Sequence, residues 1–282
     1  MQKLLTPFLL VCILAFACKD PSHSSENTGP VPDPAISNEP PVITYSILNA
    51  LPHDKESYTE GFLIHDGKLF ESSGAPQEYD YTRSIVGIVD PSSGKISVKA
   101  ELDRKKYFGE GIAIVNNKLY QLTWKDTEGL IKKGFIYDLK TFKKTGEFDF
   151  PSKEGWGMTT DGSNLIMSDG SSNLTFLDPV TFKTNRIVGV TDNNGPVGNI
   201  NELEWVKGNI LANIYMTPNI IRIDPNTGKV LGKADFTNLV KEVKLKNPDV
   251  DYMNGIAYDS AKNKIYITGK LWPNIYEVQL NN

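Results

Sequence analysis

Apolar residues along this chain come in short alternating runs closed by turn-forming residues, and no long stretch has the spacing of an amphipathic helix. That pattern predicts an all-β protein. The runs also recur. One set follows a turn: GKLFESSG at 67–74, NKLYQLTW at 117–124, SNLIMSDG at 163–170, GNILANIY at 208–215 and NKIYITGK at 263–270. A second set comes after each: SIVGIVDPSSGKI, GFIYDLKTFKKTGEF, LTFLDPVTFKTNRI, IIRIDPNTGKVLGK and NIYEVQL. The Asp-Pro-x-x-Gly pieces read as tight turns, with Pro presetting φ and Gly accepting a positive φ. Ahead of each first run lies a segment with Gly or an acid: YTEGFLIH, FGEGIAIV, EGWGMTTD, NELEWVKG and NGIAYDSA.

The unit is therefore segment, turn, strand, loop, strand, turn, strand. It occurs five times, roughly 45 to 55 residues apart, and four strands at that period make a propeller blade. The predicted fold is an all-β, five-bladed β-propeller. Its last repeat stops at Leu280 without a fourth strand, and an extra run from Ile43 to Leu51 precedes the first repeat. That N-terminal strand is expected to complete the last blade and close the ring, which removes exposed edges. Residues 238–246 (NLVKEVKLK) read as a short helix before the fifth blade.

The start, MQKLLTPFLLVCILAFAC, reads differently. A lysine precedes an apolar run that ends in Ala15 and Ala17, shorter than the roughly 20 residues a spanning helix needs. Residues 1–17 are predicted to be a secretory signal peptide. Cys18 directly after Ala17 resembles the lipidation site of a bacterial lipoprotein, although Ala15 stands where Leu is usual. Residues 18–41, rich in Pro, Ser, Asn and Glu, are expected to be a flexible tether, and 42–282 the propeller domain. The expected location is the bacterial cell envelope, periplasm or cell surface, with a lipid anchor on Cys18.

Composition narrows the chemistry. Of 282 residues, 30 are Lys or Arg and 34 Asp or Glu, mixed along the chain, so no basic field for nucleic acid is present. Two Cys, one of them inside the leader, leave neither a disulfide framework nor a thiol nucleophile. Three His, at 23, 53 and 65, argue against a zinc site or a His-based triad, and no phosphate loop, HExxH helix or GxSxG elbow occurs. Asp224 to Gly228 lacks the later ligands of a calcium loop and reads as a turn.

The pieces YTEG, YFGEG, LTWK, EGWGM, NELEW, ANIY, NGIAYD and TGKLWP, in that order at blade spacing, resemble the plant and bacterial type of glutaminyl-peptide cyclotransferase, also called glutamine cyclotransferase. The resemblance covers about residues 43 to 280. It implies a five-bladed propeller that converts N-terminal glutamine of peptides or proteins to pyroglutamate with release of ammonia, using neither metal nor organic cofactor. It implies that Glu110 is the catalytic acid/base, beside Phe108. Tyr58 and Glu60 match an aromatic-x-Gln motif, and Trp124, Trp156, Asn201, Tyr215 and Lys270 match positions that line the family's pocket. Glu60 stands where Gln is usual and Tyr215 where Trp is usual; both bear on substrate preference and rate more than on fold. Glu60 and Glu110, at equivalent places in blades one and two, could share a proton.

Residue-level readings remain beside these roles. Lys270 sits in a predicted strand, where lysines commonly snorkel to the surface. Glu202 and Glu204 alternate onto one face and could orient Asn201 or a neighbouring blade. Asn254 reads as a backbone-bonding corner residue. The competing function is an exported propeller that binds peptide or glycan without turnover. With a closed ring and no cysteine to cross-link, a monomer is the expected state.

Overall fold

The computed structural model describes residues 39–126 and 129–281. The expected signal peptide and Cys18 lie outside the described residues. Strand β1 (Thr44–Pro52) opens the fold. Blade one holds β2 (Tyr58–His65), β3 (Lys68–Gly74), β4 (Ile85–Val89) and β5 (Ile96–Glu101). Blade two holds β6 (Gly109–Val115), β7 (Lys118–Thr123), β8 (Gly134–Asp138) and β9 (Lys144–Phe148). Blade three holds β10 (Met158–Thr160), β11 (Leu165–Met167), β12 (Asn173–Leu177) and β13 (Thr184–Gly189). A hairpin of β14 (Thr191–Asp192) and β15 (Gly195–Pro196) leads to blade four: β16 (Ile200–Val206), β17 (Asn209–Ile214), β18 (Asn219–Ile223) and β19 (Val230–Asp235). Helix α1 (Thr237–Lys246) follows, then β20 (Met253–Asp259), β21 (Lys264–Gly269) and β22 (Asn274–Asn281).

Each blade is an antiparallel meander, and the fifth has the order β1-β22-β21-β20. The N-terminal strand thus supplies the missing outer strand, paired from Thr44 with Asn281 to Pro52 with Asn274. Both the predicted ring closure and the predicted helix stand. Apolar side chains collect into one wedge per blade interface. Between blades two and three, for example, Tyr120, Leu122 and Phe148 meet Met158, Leu165 and Leu177. Helix α1 buries Leu239 and Val243 against the blade-five wedge beside Trp272.

The turn joining the third and fourth strands repeats in blades one to four. The amides of Gly94, Phe142, Phe182 and Gly228 close back onto the carbonyls of Asp90, Asp138, Asp178 and Asp224. All four closing residues have φ between 55° and 74°. Glycine suits that conformation, whereas phenylalanine does not. Phe182 has a compensating role: its ring stacks on Phe148 of the preceding blade at 4.4 Å.

A buried latch joins the first and last blades. His53, just beyond β1, places Nδ1 2.7 Å from the Trp272 carbonyl and Nε2 3.0 Å from Glu71 on β3. Both ring nitrogens face acceptors, so the ring carries both protons. Burial alone would lower its pKa, but the Glu71 carboxylate outweighs burial and raises it. Glu71 also accepts the hydroxyls of Ser57 and Thr59. Burial pushes its carboxyl up, yet His53 and these hydroxyls together hold it below the usual value.

Candidate active site

The pocket is built from two rings of equivalent positions around the axis. The first lies at the start of each inner strand, where YTEG, FGEG, EGWG, the segment at 199–202 and that at 252–255 come into register: Glu60, Glu110, Trp156, Asn201 and Asn254. In four blades the ladder to the second strand slips here, between Thr59 and Gly61, Gly109 and Ile112, Ile200 and Leu203, and Met253 and Ile256. Such irregularities re-aim a side chain, here toward the axis. The second ring closes the second strands: Gly74, Trp124, Gly170, Tyr215 and Lys270. Two of these are glycines because rings from the first segments fill their space. A Cβ on Gly74 would lie 2.1 Å from Phe108, and one on Gly170 2.6 Å from Trp156. Lys270 lies one residue past β21 rather than inside a strand as expected.

The inner strands pack so closely that a Cβ on Gly111 would sit 2.4 Å from the Met158 amide nitrogen. This is why glycine follows the acid in FGEG. Blade four is tied across the axis by carboxylates. Glu202 accepts the amides of Phe62 and Ile256, and Glu204 that of Tyr258. Both therefore join blades and do not orient Asn201. Asn254 donates to the Thr59 carbonyl, the corner role expected of it, and also to Glu60 at 3.2 Å.

All the predicted pocket residues converge. Tyr58, Glu60, Phe108, Glu110, Trp124, Trp156, Asn201, Tyr215 and Lys270 line one cavity of about 540 Å³, with Arg104 and the 75–78 segment at its side. Phe108 lies 5.8 Å from Trp124 and 6.2 Å from Tyr58, and Trp156 meets Tyr215 edge-on at 5.3 Å. On the floor, Lys270 Nζ is 2.7 Å from Glu60 Oε1. The ammonium also faces the rings of Tyr58 at 4.6 Å and Tyr215 at 5.3 Å, a cation–π arrangement. Glu110 Oε2 and Asn201 Oδ1 are buried without a hydrogen-bond partner. Two unpaired acceptors at the bottom of an aromatic cage suit a ligand that brings N–H groups.

The electrostatics follow from this packing. Burial pushes Glu110 well above the usual carboxylate range, the nearby Glu60 adds to the rise, and Lys270 partly opposes it. Burial raises Glu60 to about 7 against the pull of Lys270. Burial depresses Lys270, but the Glu60 and Glu110 carboxylates outweigh it and hold its ammonium above the ordinary value.

Two polar residues of the site were not singled out from sequence. Glu154 Oε2 accepts both indole N–H groups, from Trp124 and Trp156, at 2.8 Å each. Asp251 accepts the Tyr58 hydroxyl at 2.7 Å. The available signal for Glu154 was register: it occupies in EGWG the place held by Tyr58 and Phe108 in the first two blades. The other end of the axis opens into a cavity of about 390 Å³ between Leu63, Ala113, Thr159, Glu204 and Tyr258. Its buried carboxylate, Glu204, is already engaged, and it holds none of the predicted residues. Among the described residues, no group of three or more His, Cys, Asp or Glu is disposed to hold a metal ion.

Comparison with known proteins points the same way as this geometry. The profile of a family described as glutamine cyclotransferase matches residues 11–280. The glutaminyl-peptide cyclotransferase of Arabidopsis thaliana is 36% identical over 236 residues, which cover 83% of this chain and 70% of that protein. The crystal structure of Myxococcus xanthus glutaminyl cyclase superposes with a TM-score of 0.75 at 31% identity, covering 86% of this chain and 99% of that one.

Proposed function

The chain belongs to the glutamine cyclotransferase family, and from that premise we propose that the caged carboxylate of Glu110 turns N-terminal glutamine of peptides and proteins into pyroglutamate. The enzyme is an acyltransferase: the γ-acyl group of glutamine passes from its amide nitrogen to the α-nitrogen. The observation that carries the assignment of Glu110 is its unpartnered, buried Oε2 beside the equally unpartnered Asn201 Oδ1.

The α-amine attacks the side-chain Cδ, a new N–Cδ bond forms, and the carbonyl oxygen becomes an oxyanion. Glu110 takes the proton that the α-nitrogen loses and returns it to the amide nitrogen. The old C–N bond then breaks and ammonia leaves. A carboxyl raised toward neutrality suits both halves of that transfer. Ring closure is intramolecular, so holding the glutamine folded against Phe108, Trp124 and Trp156 supplies much of the acceleration. Lys270 Nζ has donors beyond the one used on Glu60 and is available to the oxyanion, with the Asn201 amide beside it. These side chains perform the proton transfers unaided, so turnover is expected to survive a chelator.

The test is ammonia release from a Gln-initiated peptide, with pyroglutamate confirmed by mass. Glu110→Gln should lower kcat about 10²- to 10⁴-fold while the peptide still binds. Wild-type turnover by the folded variant would remove Glu110 from the role.

The proposal extends to the setting. A leader ending in Ala-Phe-Ala before Cys18, followed by a polar segment to residue 41, supports an exported protein held at the cell envelope by lipid on Cys18. Labelled fatty acid should enter the wild-type chain and not Cys18→Ala.

A further inference from the structure

We propose that Glu60 is a charge filter: by occupying Lys270 it makes the pocket accept a neutral γ-carboxamide and refuse a γ-carboxylate, so that N-terminal glutamine is selected over N-terminal glutamate. The inference rests on the cyclotransferase reading and adds a specificity determinant to it.

Two cations line the cavity, Arg104 and Lys270. Arg104 is committed, its guanidinium donating to the carbonyls of Pro76, Tyr79, Asp80 and Thr82. Lys270 is therefore the one of the two free to meet an anionic substrate group, and Glu60 holds it at 2.7 Å. Asn254 fixes the other Glu60 oxygen at 3.2 Å, so the carboxylate cannot swing aside without losing that bond. The second carboxylate, Glu110, adds negative potential on the same floor. A substrate ammonium is attracted there. A γ-carboxylate would bring a further negative charge into a buried site whose lysine is already neutralised. Glutamine and glutamate have the same shape, so packing alone does not separate them; the charge on Glu60 adds a repulsive element to whatever the amide hydrogen bonds contribute.

Binding of two peptides differing only in N-terminal Gln or Glu is to be compared at pH 8. KM serves for the first, and the inhibition constant against it for the second, in wild type, Glu60→Gln and Glu60→Asp, each checked by thermal melting. Wild type should prefer the Gln peptide at least tenfold. Glu60→Gln should tighten the Glu peptide relative to the Gln peptide by about tenfold, equivalent to about 1.4 kcal/mol. Glu60→Asp keeps the charge and should keep the preference for the Gln peptide. A merely structural role for Glu60 predicts weaker binding of both peptides, never a gain for one. A ratio that does not move in folded Glu60→Gln, or a wild type that binds both peptides equally, overturns the filter. If wild type turns over the Gln peptide, the cyclotransferase reading survives that outcome. If wild type makes no pyroglutamate, both fall.

Discussion

Truncating the latch, His53→Ala, should destabilise the fold by about 3–5 kcal/mol, the range for breaking a buried ion pair by removing one partner. The size follows from what is left behind. Glu71 keeps the Ser57 and Thr59 hydroxyls but loses a protonated imidazole 3.0 Å away, and the Trp272 carbonyl loses its donor. For a domain of this size the melting temperature should fall about 2–4 °C per kcal/mol, hence roughly 6–20 °C in all. The pH dependence has a definite sign. His53 is raised above its ordinary 6.5, so its contribution is complete below that value and fades as pH rises through the raised folded pKa. Glu71 is lowered below its ordinary 4.5, so its contribution is complete above that value and is lost as pH falls through the folded pKa. The gap between wild type and His53→Ala should be widest between pH 4.5 and 6.5. Denaturant unfolding followed by circular dichroism, across pH and with the Glu71→Gln and double variants, measures it. A cost under about 1 kcal/mol, or strictly additive effects of the two substitutions, would refute the latch.

Three further outcomes are expected. Glu154→Leu removes the shared acceptor of two indoles, so KM for a Gln peptide should rise by about tenfold or more, each charge-assisted bond being worth about 1.5–3 kcal/mol; an unchanged KM would show that the tryptophans hold their pose without it. Gly111→Ala places a Cβ against the Met158 amide and should cost about 1–3 kcal/mol by overpacking, read as a lower denaturation midpoint together with lost activity. Burial and then Glu60 raise Glu110, so Glu60→Gln should move the acid limb of the kcat/KM profile to lower pH than wild type. The substrate amine titrates identically for both proteins and cancels in that comparison; an unmoved limb would mean that Glu60 does not act on the reacting carboxyl.

The ring and its closure were legible because a blade repeats its punctuation and because β1 reads as a strand with no blade of its own. Phe142 and Phe182 at positive φ were not, since the turn chemistry there predicts glycine; for Phe182 the explanation is a ring on the preceding blade. At the site, the acids, asparagine and aromatics stood out as motif residues. What they do to one another did not. That Lys270 lies past its strand and pairs with Glu60 across 210 residues depends on closing the ring. The shared role of Glu154 depends on where two indole N–H groups point, which neither spacing nor propensity encodes.

The pairing of β1 with β22 has a consequence for how the molecule is made. Strand β1 waits for β22, and Thr44 meets Asn281 only after blades one to four have been polymerised between them. Until then blade five presents an unpaired edge. Such distant pairing is slow to form and exposes edges to other chains. Ring closure therefore follows the synthesis of β22, and losing that one eight-residue strand would cost the ring its closure rather than a fringe.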